Sequence, residues 1–198
     1  SRLSLESREK NMKKTSKILI AIIAFSFITG FFLHILFHWE YDAKPSLFNW
    51  LGFNPSHKFR GKRAPNFKLV ELHSGKVVTL KQHRGKIVLL DFWASWCRGC
   101  QKQLATLQNL YKDLALSKKV QFLTINIKET ASQKQVRAFL KKRGLTFPVL
   151  LATQKVVQDY KIWFFPLLVV INSEGRIVYT GAEFHTEPKI RKILAKAA

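Results

Sequence analysis

Cys97 and Cys100 are the only cysteines in this 198-residue chain, and they stand three apart in Trp96-Cys97-Arg98-Gly99-Cys100. The apolar run at 86–93 immediately precedes them, and leucines at helical spacing follow. A C-x-x-C pair at such a junction puts the first sulfur at a helix N-terminus, where unpaired backbone N–H groups and the helix dipole favour a thiolate. The second sulfur comes one turn later, within reach of the first. That arrangement suits a redox dithiol. The competing chemistry is a zinc or copper site, for which the chain offers no second cysteine pair and no methionine beside this one.

The elements that must hold this pair follow from hydropathy. Residues 86–93 form a nearly continuous apolar stretch, which predicts a strand covered on both faces. Leu104, Leu107, Leu110, Tyr111 and Leu114 then predict a helix. Upstream, 67–72 and 76–80 flank His73-Ser74-Gly75 as a hairpin. Downstream come a strand at 120–127, a helix at 132–143, a short strand at 148–151 and a helix at 154–160. A hairpin of 167–172 with 176–180 and a last helix from about Thr186 complete the order. The sum is an α/β domain with a mixed central sheet flanked by helices.

Composition limits the remaining possibilities. Two cysteines cannot build a disulfide-rich scaffold or a four-cysteine zinc site. A 47% hydrophobic content with 16 Phe supports a real core. The formal charge is +22, and from Lys58 onward 27 basic residues face 8 acidic ones, so the folded part is itself cationic and suited to anionic partners. No zinc-finger spacing, recognition helix or Arg-aromatic alternation accompanies the charge, and nucleic acid is not an expected partner.

Residues 18–37 carry no formal charge and would span about 30 Å as a helix, enough to cross a bilayer. Lys13, Lys14 and Lys17 precede the run and Glu40 and Asp42 follow, which predicts a cytoplasmic N-terminus. A cleaved signal peptide is the alternative, but the run exceeds an ordinary h-region and no A-x-A-like site follows. His34 is expected at the membrane interface rather than in a functional role. The expected divisions are a cytoplasmic segment at 1–17, with 1–11 a possible upstream extension before Met12, a transmembrane anchor at 18–37, a linker at 38–63 and the catalytic domain at 64–198. Trp39, Tyr41, Phe48, Trp50 and Phe53 give the linker an aromatic character suited to a headgroup region.

Val88-Leu89-Leu90-Asp91-Phe92-Trp93-Ala94-Ser95-Trp96-Cys97-Arg98-Gly99-Cys100 resembles the thioredoxin active-site segment. Ala64-Pro65-Asn66-Phe67, Arg84-Gly85-Lys86, Phe147-Pro148-Val149 and Tyr160-Lys161-Ile162 before Phe165-Pro166 are similar to the TlpA and ResA family of membrane-anchored thioredoxin-like proteins, which includes the CcmG (DsbE) branch. The resemblance implies a thioredoxin-like fold and an extracytoplasmic thiol-disulfide oxidoreductase in the bacterial inner membrane, facing the periplasm or its equivalent. Its clients would be proteins with cysteine pairs, as in cytochrome c maturation, and a membrane-embedded electron donor would supply it. It implies Cys97 as attacking thiol, Cys100 as resolving thiol, Asp91 as a buried carboxylate that takes the Cys100 proton, and Pro166 as a cis proline that leaves the Phe165 backbone free to pair with a client. No cofactor and no metal are expected.

Three positions depart from the family pattern: Gly99 where proline is common, Gln103 where ResA-like proteins carry glutamate, and Leu167 where threonine often follows the cis proline. Glu129 falls near where some relatives place an acidic active-site residue; a solvated loop carboxylate is the expected reading, with that role as the alternative. An oxidase of exported proteins and a copper-tolerance or metal-handling protein of the same fold stand as alternatives. A Sco-type copper site would need one more residue between its cysteines, and the Pro and Thr that precede a peroxidatic cysteine are not found.

Overall fold

The computed structural model describes Phe25–Ser26 and residues 59–114 and 119–198. The chain divides into two units, Ser1–Leu51 and Gly52–Ala198. The anchor read at 18–37 lies outside the described residues apart from Phe25 and Ser26, which are helical. Among the described residues no helix is long and apolar enough to cross a membrane.

The second unit is built on seven strands: β1 (Lys68–Glu71), β2 (Val77–Thr79), β3 (Ile87–Trp93), β4 (Val120–Asn126), β5 (Val149–Leu151), β6 (Leu167–Ile171) and β7 (Ile177–Gly181). Among the described residues four α-helices accompany them, α1 (Arg98–Leu114), α2 (Gln133–Lys142), α3 (Gln154–Asp159) and α4 (Glu187–Ala197), with a short 3-10 helix at Leu80–His83. The sheet order is β2-β1-β5-β4-β3-β6-β7. β3, β4 and β5 run parallel, while β6 lies antiparallel to β3 and β1 antiparallel to β5. This is the mixed sheet expected from the sequence.

Every residue of β3 is buried, because helices and irregular segments cover both faces of the sheet. Strand side chains alternate, so Leu89, Asp91 and Trp93 point to one face and Val88, Leu90 and Phe92 to the other. The first face is filled by Leu104, Leu107 and Leu110 of α1, Val136 and Leu140 of α2, and Ile190 and Leu194 of α4. The second is filled by Val156 of α3, with Phe67, Leu80, Tyr160 and Ile162. Full burial of each such side chain is worth roughly 1.5–3 kcal/mol. The period of β3 therefore sends one carboxylate, Asp91, into an apolar layer beneath α1.

Helix ends follow their local chemistry. Ser132 caps α2 through a capping box with Gln135, its side chain accepting from the Gln135 N–H at 3.3 Å while Gln135 Oε1 accepts from the Ser132 N–H at 2.8 Å. Pro188 enters the first turn of α4, where its missing N–H costs nothing. Phe59 packs against the core of the second face, and Gly61 donates its N–H to the Ile177 carbonyl at 2.8 Å. Tyr160 donates to the Pro65 carbonyl at 2.8 Å and fixes the segment leading into β1.

Candidate active site

The site forms where β3 ends and α1 begins. Cys97 occupies the position just before α1: its carbonyl accepts the Gln101 N–H at 3.1 Å, and its own sulfur accepts the Cys100 N–H at 3.0 Å. The sulfur is thus a cap on the helix, receiving one of the donors that an α-helix leaves unpaired. Cys97 and Cys100 are joined in a disulfide, with Cα atoms 5.2 Å apart. Cys97 is half-buried and Cys100 fully buried. A sulfur nucleophile can therefore reach Cys97 from outside, and not Cys100.

The strand period and the helix period meet under Cys100. Cys100, Gln103, Leu104 and Leu107 share the inward stripe of α1, and all four are completely buried. Asp91 is on the sheet face below them, also without exposure, and neither of its oxygens accepts a well-formed hydrogen bond. Burial pushes its pKa well above the usual carboxylate range, and the Gln103 amide pulls it partway back. Burial therefore favours the protonated carboxyl relative to an ordinary aspartate. Gln103 is fixed from the far side, where its Oε1 accepts the His185 N–H at 2.8 Å. The His185 ring shares a 2.7 Å hydrogen bond with the Tyr179 hydroxyl. Burial, with Lys189 nearby, pushes the His185 pKa down to about 4, so the ring is neutral.

The segment before β6 closes the site from the other side. The Phe165–Pro166 peptide bond is cis, and Pro166 is buried. A Cβ on Gly99 would lie 3.4 Å from Pro166 Cδ, so the proline ring faces the first turn of α1 between the cysteines. The Phe165 carbonyl oxygen is 3.9 Å from Cys97 Sγ. Trp96 meets the Phe165 ring edge-on at 5.2 Å, and Trp96, Trp163 and Phe164 are exposed. Arg98 and Lys128 add positive charge to this rim, with Lys128 Nζ 6.0 Å from the Phe165 ring centre. Among the described residues no cluster of three His, Cys, Asp or Glu could hold a metal ion.

Glu129 differs from the solvated loop carboxylate expected. It accepts from the Ser95 N–H at 2.8 Å, the Ser95 hydroxyl at 2.9 Å, Asn126 Nδ2 at 3.0 Å, and the Thr130 and Ala131 N–H groups at 3.0 and 3.1 Å. Burial would raise its pKa, but the bonds from Asn126, Ser95 and Ala131 outweigh burial and hold it below the usual range. The loop after β4 is tied by this carboxylate to the residue two before Cys97. Trp96 adds a second tie, donating its indole N–H to the Lys128 carbonyl at 3.2 Å. His185 and Tyr179 were not legible as part of the site, because only the closure of the 181–187 turn onto α1 brings them there. The signal for Gln103 was present, since a polar residue interrupts an otherwise apolar helix stripe.

Comparison with known proteins agrees with this chemistry. The profile described as the AhpC/TSA family matches residues 60–180. The chain is 36% identical over 118 residues to the thioredoxin-like protein YneN of Bacillus subtilis, covering 59% of this chain and 68% of that one. It is 37% identical over 131 residues to the thiol-disulfide oxidoreductase ResA of the same organism, covering 66% and 71%. The crystal structure of StoA from Bacillus subtilis superposes with a TM-score of 0.58 at 27% identity, covering 66% of this chain and 96% of that one. With a C-x-x-C disulfide at the head of α1 and relatives of this kind, the chain belongs to the AhpC/TSA family, as a thioredoxin-like thiol-disulfide oxidoreductase related to ResA and YneN.

Proposed function

We propose that the protein is a membrane-anchored reductant of disulfides in exported proteins, in which Cys97 attacks and Cys100 resolves. The observation that carries this reading is the asymmetry of the pair: Cys97 is accessible and caps a helix of 17 residues, whereas Cys100 is fully buried. In the reduced protein the Cys97 thiolate keeps the Cys100 N–H, and the helix terminus stabilises its charge. It attacks a client sulfur, forming a mixed disulfide and releasing the other client sulfur as a thiolate that takes a proton. Cys100 then passes its proton to Asp91 and attacks Cys97 Sγ. The second client sulfur leaves, and the 97–100 disulfide of the present structure remains. Phe165, with its carbonyl beside Cys97, offers main-chain hydrogen bonding to an extended client segment ahead of buried Pro166.

The anchor at 18–37, the linker at 38–63 and the domain at 64–198 belong to this proposal, with the domain on the periplasmic or equivalent side. The lysines at 13, 14 and 17 support that orientation. A membrane-embedded donor would return two electrons and two protons to the disulfide. Cytochrome c maturation is the client pathway proposed, because ResA-like chemistry suits apoproteins with paired cysteines.

The test is Cys100→Ser expressed in its own membrane, with adducts isolated under denaturing, non-reducing conditions. Adducts with apocytochrome c that a reductant releases support the full proposal. Adducts only with other exported proteins would remove the cytochrome assignment, and absence of adducts from the exported side would remove the topology.

A further inference from the structure

We infer that Gln103 is the positioning residue of the resolving step: its amide, clamped by His185, turns its N–H donor toward the carboxyl of Asp91, the acceptor of the Cys100 proton. The inference rests on the reading of Asp91 as that acceptor. A backbone N–H needs an acceptor, and the His185 N–H finds it in Gln103 Oε1 at 2.8 Å. The orientation of the amide follows, because only the oxygen can accept, so the NH₂ group must face away from His185. Gln103 Nε2 is buried and donates no well-formed hydrogen bond within the protein, and both Asp91 oxygens are buried without a well-formed donor. An unpartnered donor on the inward stripe of α1 and an unpartnered acceptor on the sheet face that the stripe covers are thus both wholly buried. The amide lowers the carboxyl pKa against the effect of burial.

The chemical role follows from the charges. Before resolution Asp91 must be a carboxylate to take the proton from the Cys100 thiol. Among the described residues no charged side chain contributes to its shift. By strand register its neighbours are Thr124 on β4 and Leu168 on β6. The titratable groups of the cluster are Cys100 on α1 and the neutral His185, which is reached through Gln103. As the proton moves from Cys100 Sγ to an Asp91 oxygen, the sulfur becomes the thiolate that attacks Cys97. Gln103 binds the carboxylate better than the acid and so keeps part of Asp91 in the form able to act. A glutamine achieves this without itself titrating.

The test is the pH profile of resolution in the full chain. A mixed disulfide between Cys97 and thionitrobenzoate is formed rapidly, and release of the second thionitrobenzoate is followed by stopped-flow absorbance. Gln103→Leu should move the midpoint of the profile upward by about one pH unit, on the scale of a lost hydrogen bond to a charged group. One unit is about a tenfold slower release below the wild-type midpoint. Gln103→Glu keeps the acceptor for the His185 N–H, and with it that contact, while replacing the donor with a second acid. It should shift the midpoint the same way. Neither change should add to Asp91→Asn, which removes the midpoint altogether. If Asp91→Asn removes the midpoint while both Gln103 variants leave it in place, the inference is overturned. If Asp91→Asn itself leaves the profile unchanged, the acceptor reading on which it rests has failed.

Discussion

Asp91→Asn should make the oxidised protein more stable at neutral pH, although it removes a group proposed for turnover. Asp91 is fully buried, both its oxygens lack well-formed hydrogen bonds, and its pKa is raised mainly by burial. Between the ordinary aspartate value of about 3.9 and its native value, the folded protein holds a proton that the unfolded chain has released. Stability therefore falls as pH rises through that window, by about 1.4 kcal/mol per unit when the difference is one proton. Asparagine has nearly the same shape and does not titrate, so the variant should lose this slope. The two proteins should converge near pH 4, and the variant's advantage should widen from there until the native pKa is reached. Urea unfolding of the oxidised, detergent-solubilised chain between pH 4 and 8 gives the comparison, and other titrating groups cancel in the difference. Parallel profiles would show that Asp91 titrates alike in both states and would refute the argument from burial.

Reduced Cys97 should react with iodoacetamide faster than Cys100 and titrate below the free-thiol value of about 8.5, since its sulfur receives the Cys100 N–H at the helix start; mass spectrometry of peptides alkylated across pH reads this directly. Glu129→Ala should destabilise the protein by about 1–3 kcal/mol, because the Ser95 and Asn126 donors lose their acceptor. As the Glu129 pKa is depressed, that contribution should be full above the ordinary carboxylate value of about 4.3 and disappear as pH falls through the native value. Thermal unfolding at pH 7 and pH 3 separates the two conditions. His185, neutral with a pKa of about 4, should make stability fall as pH drops from about 6.5 towards 4, by up to about 3 kcal/mol in all. His185→Gln should flatten that part of the profile in urea unfolding.

Periodic features of the sequence carried the fold well. The unbroken apolar stretch became β3, and Ser132, Thr153 and Thr186 stand at the starts of α2, α3 and α4. These are local signals, written within one or two turns of chain. The C-x-x-C pair was legible for the same reason, because its chemistry depends on neighbours three residues apart. Glu129 was read as solvated because nothing near it in sequence announces Ser95, 34 residues earlier. Parallel pairing of β3 with β4, in the register Trp93 to Asn126, makes that contact. His185 shows the same limit across 82 residues, meeting Gln103 only when the turn after β7 folds onto α1. Asp91 lay between these cases: its place in the apolar run announced burial, but only the structure showed that no well-formed hydrogen bond awaited it there.

The central claim is that this pair exchanges disulfides through Cys97, and single-cysteine variants test it most directly. Purified Cys100→Ser mixed with a model disulfide should form a one-to-one mixed disulfide that persists until reductant is added, while Cys97→Ser, with its remaining sulfur buried, should react far more slowly. Equal reaction of the two variants would overturn the assignment of the attacking sulfur. Failure of both to form any adduct would contradict disulfide exchange at this site altogether.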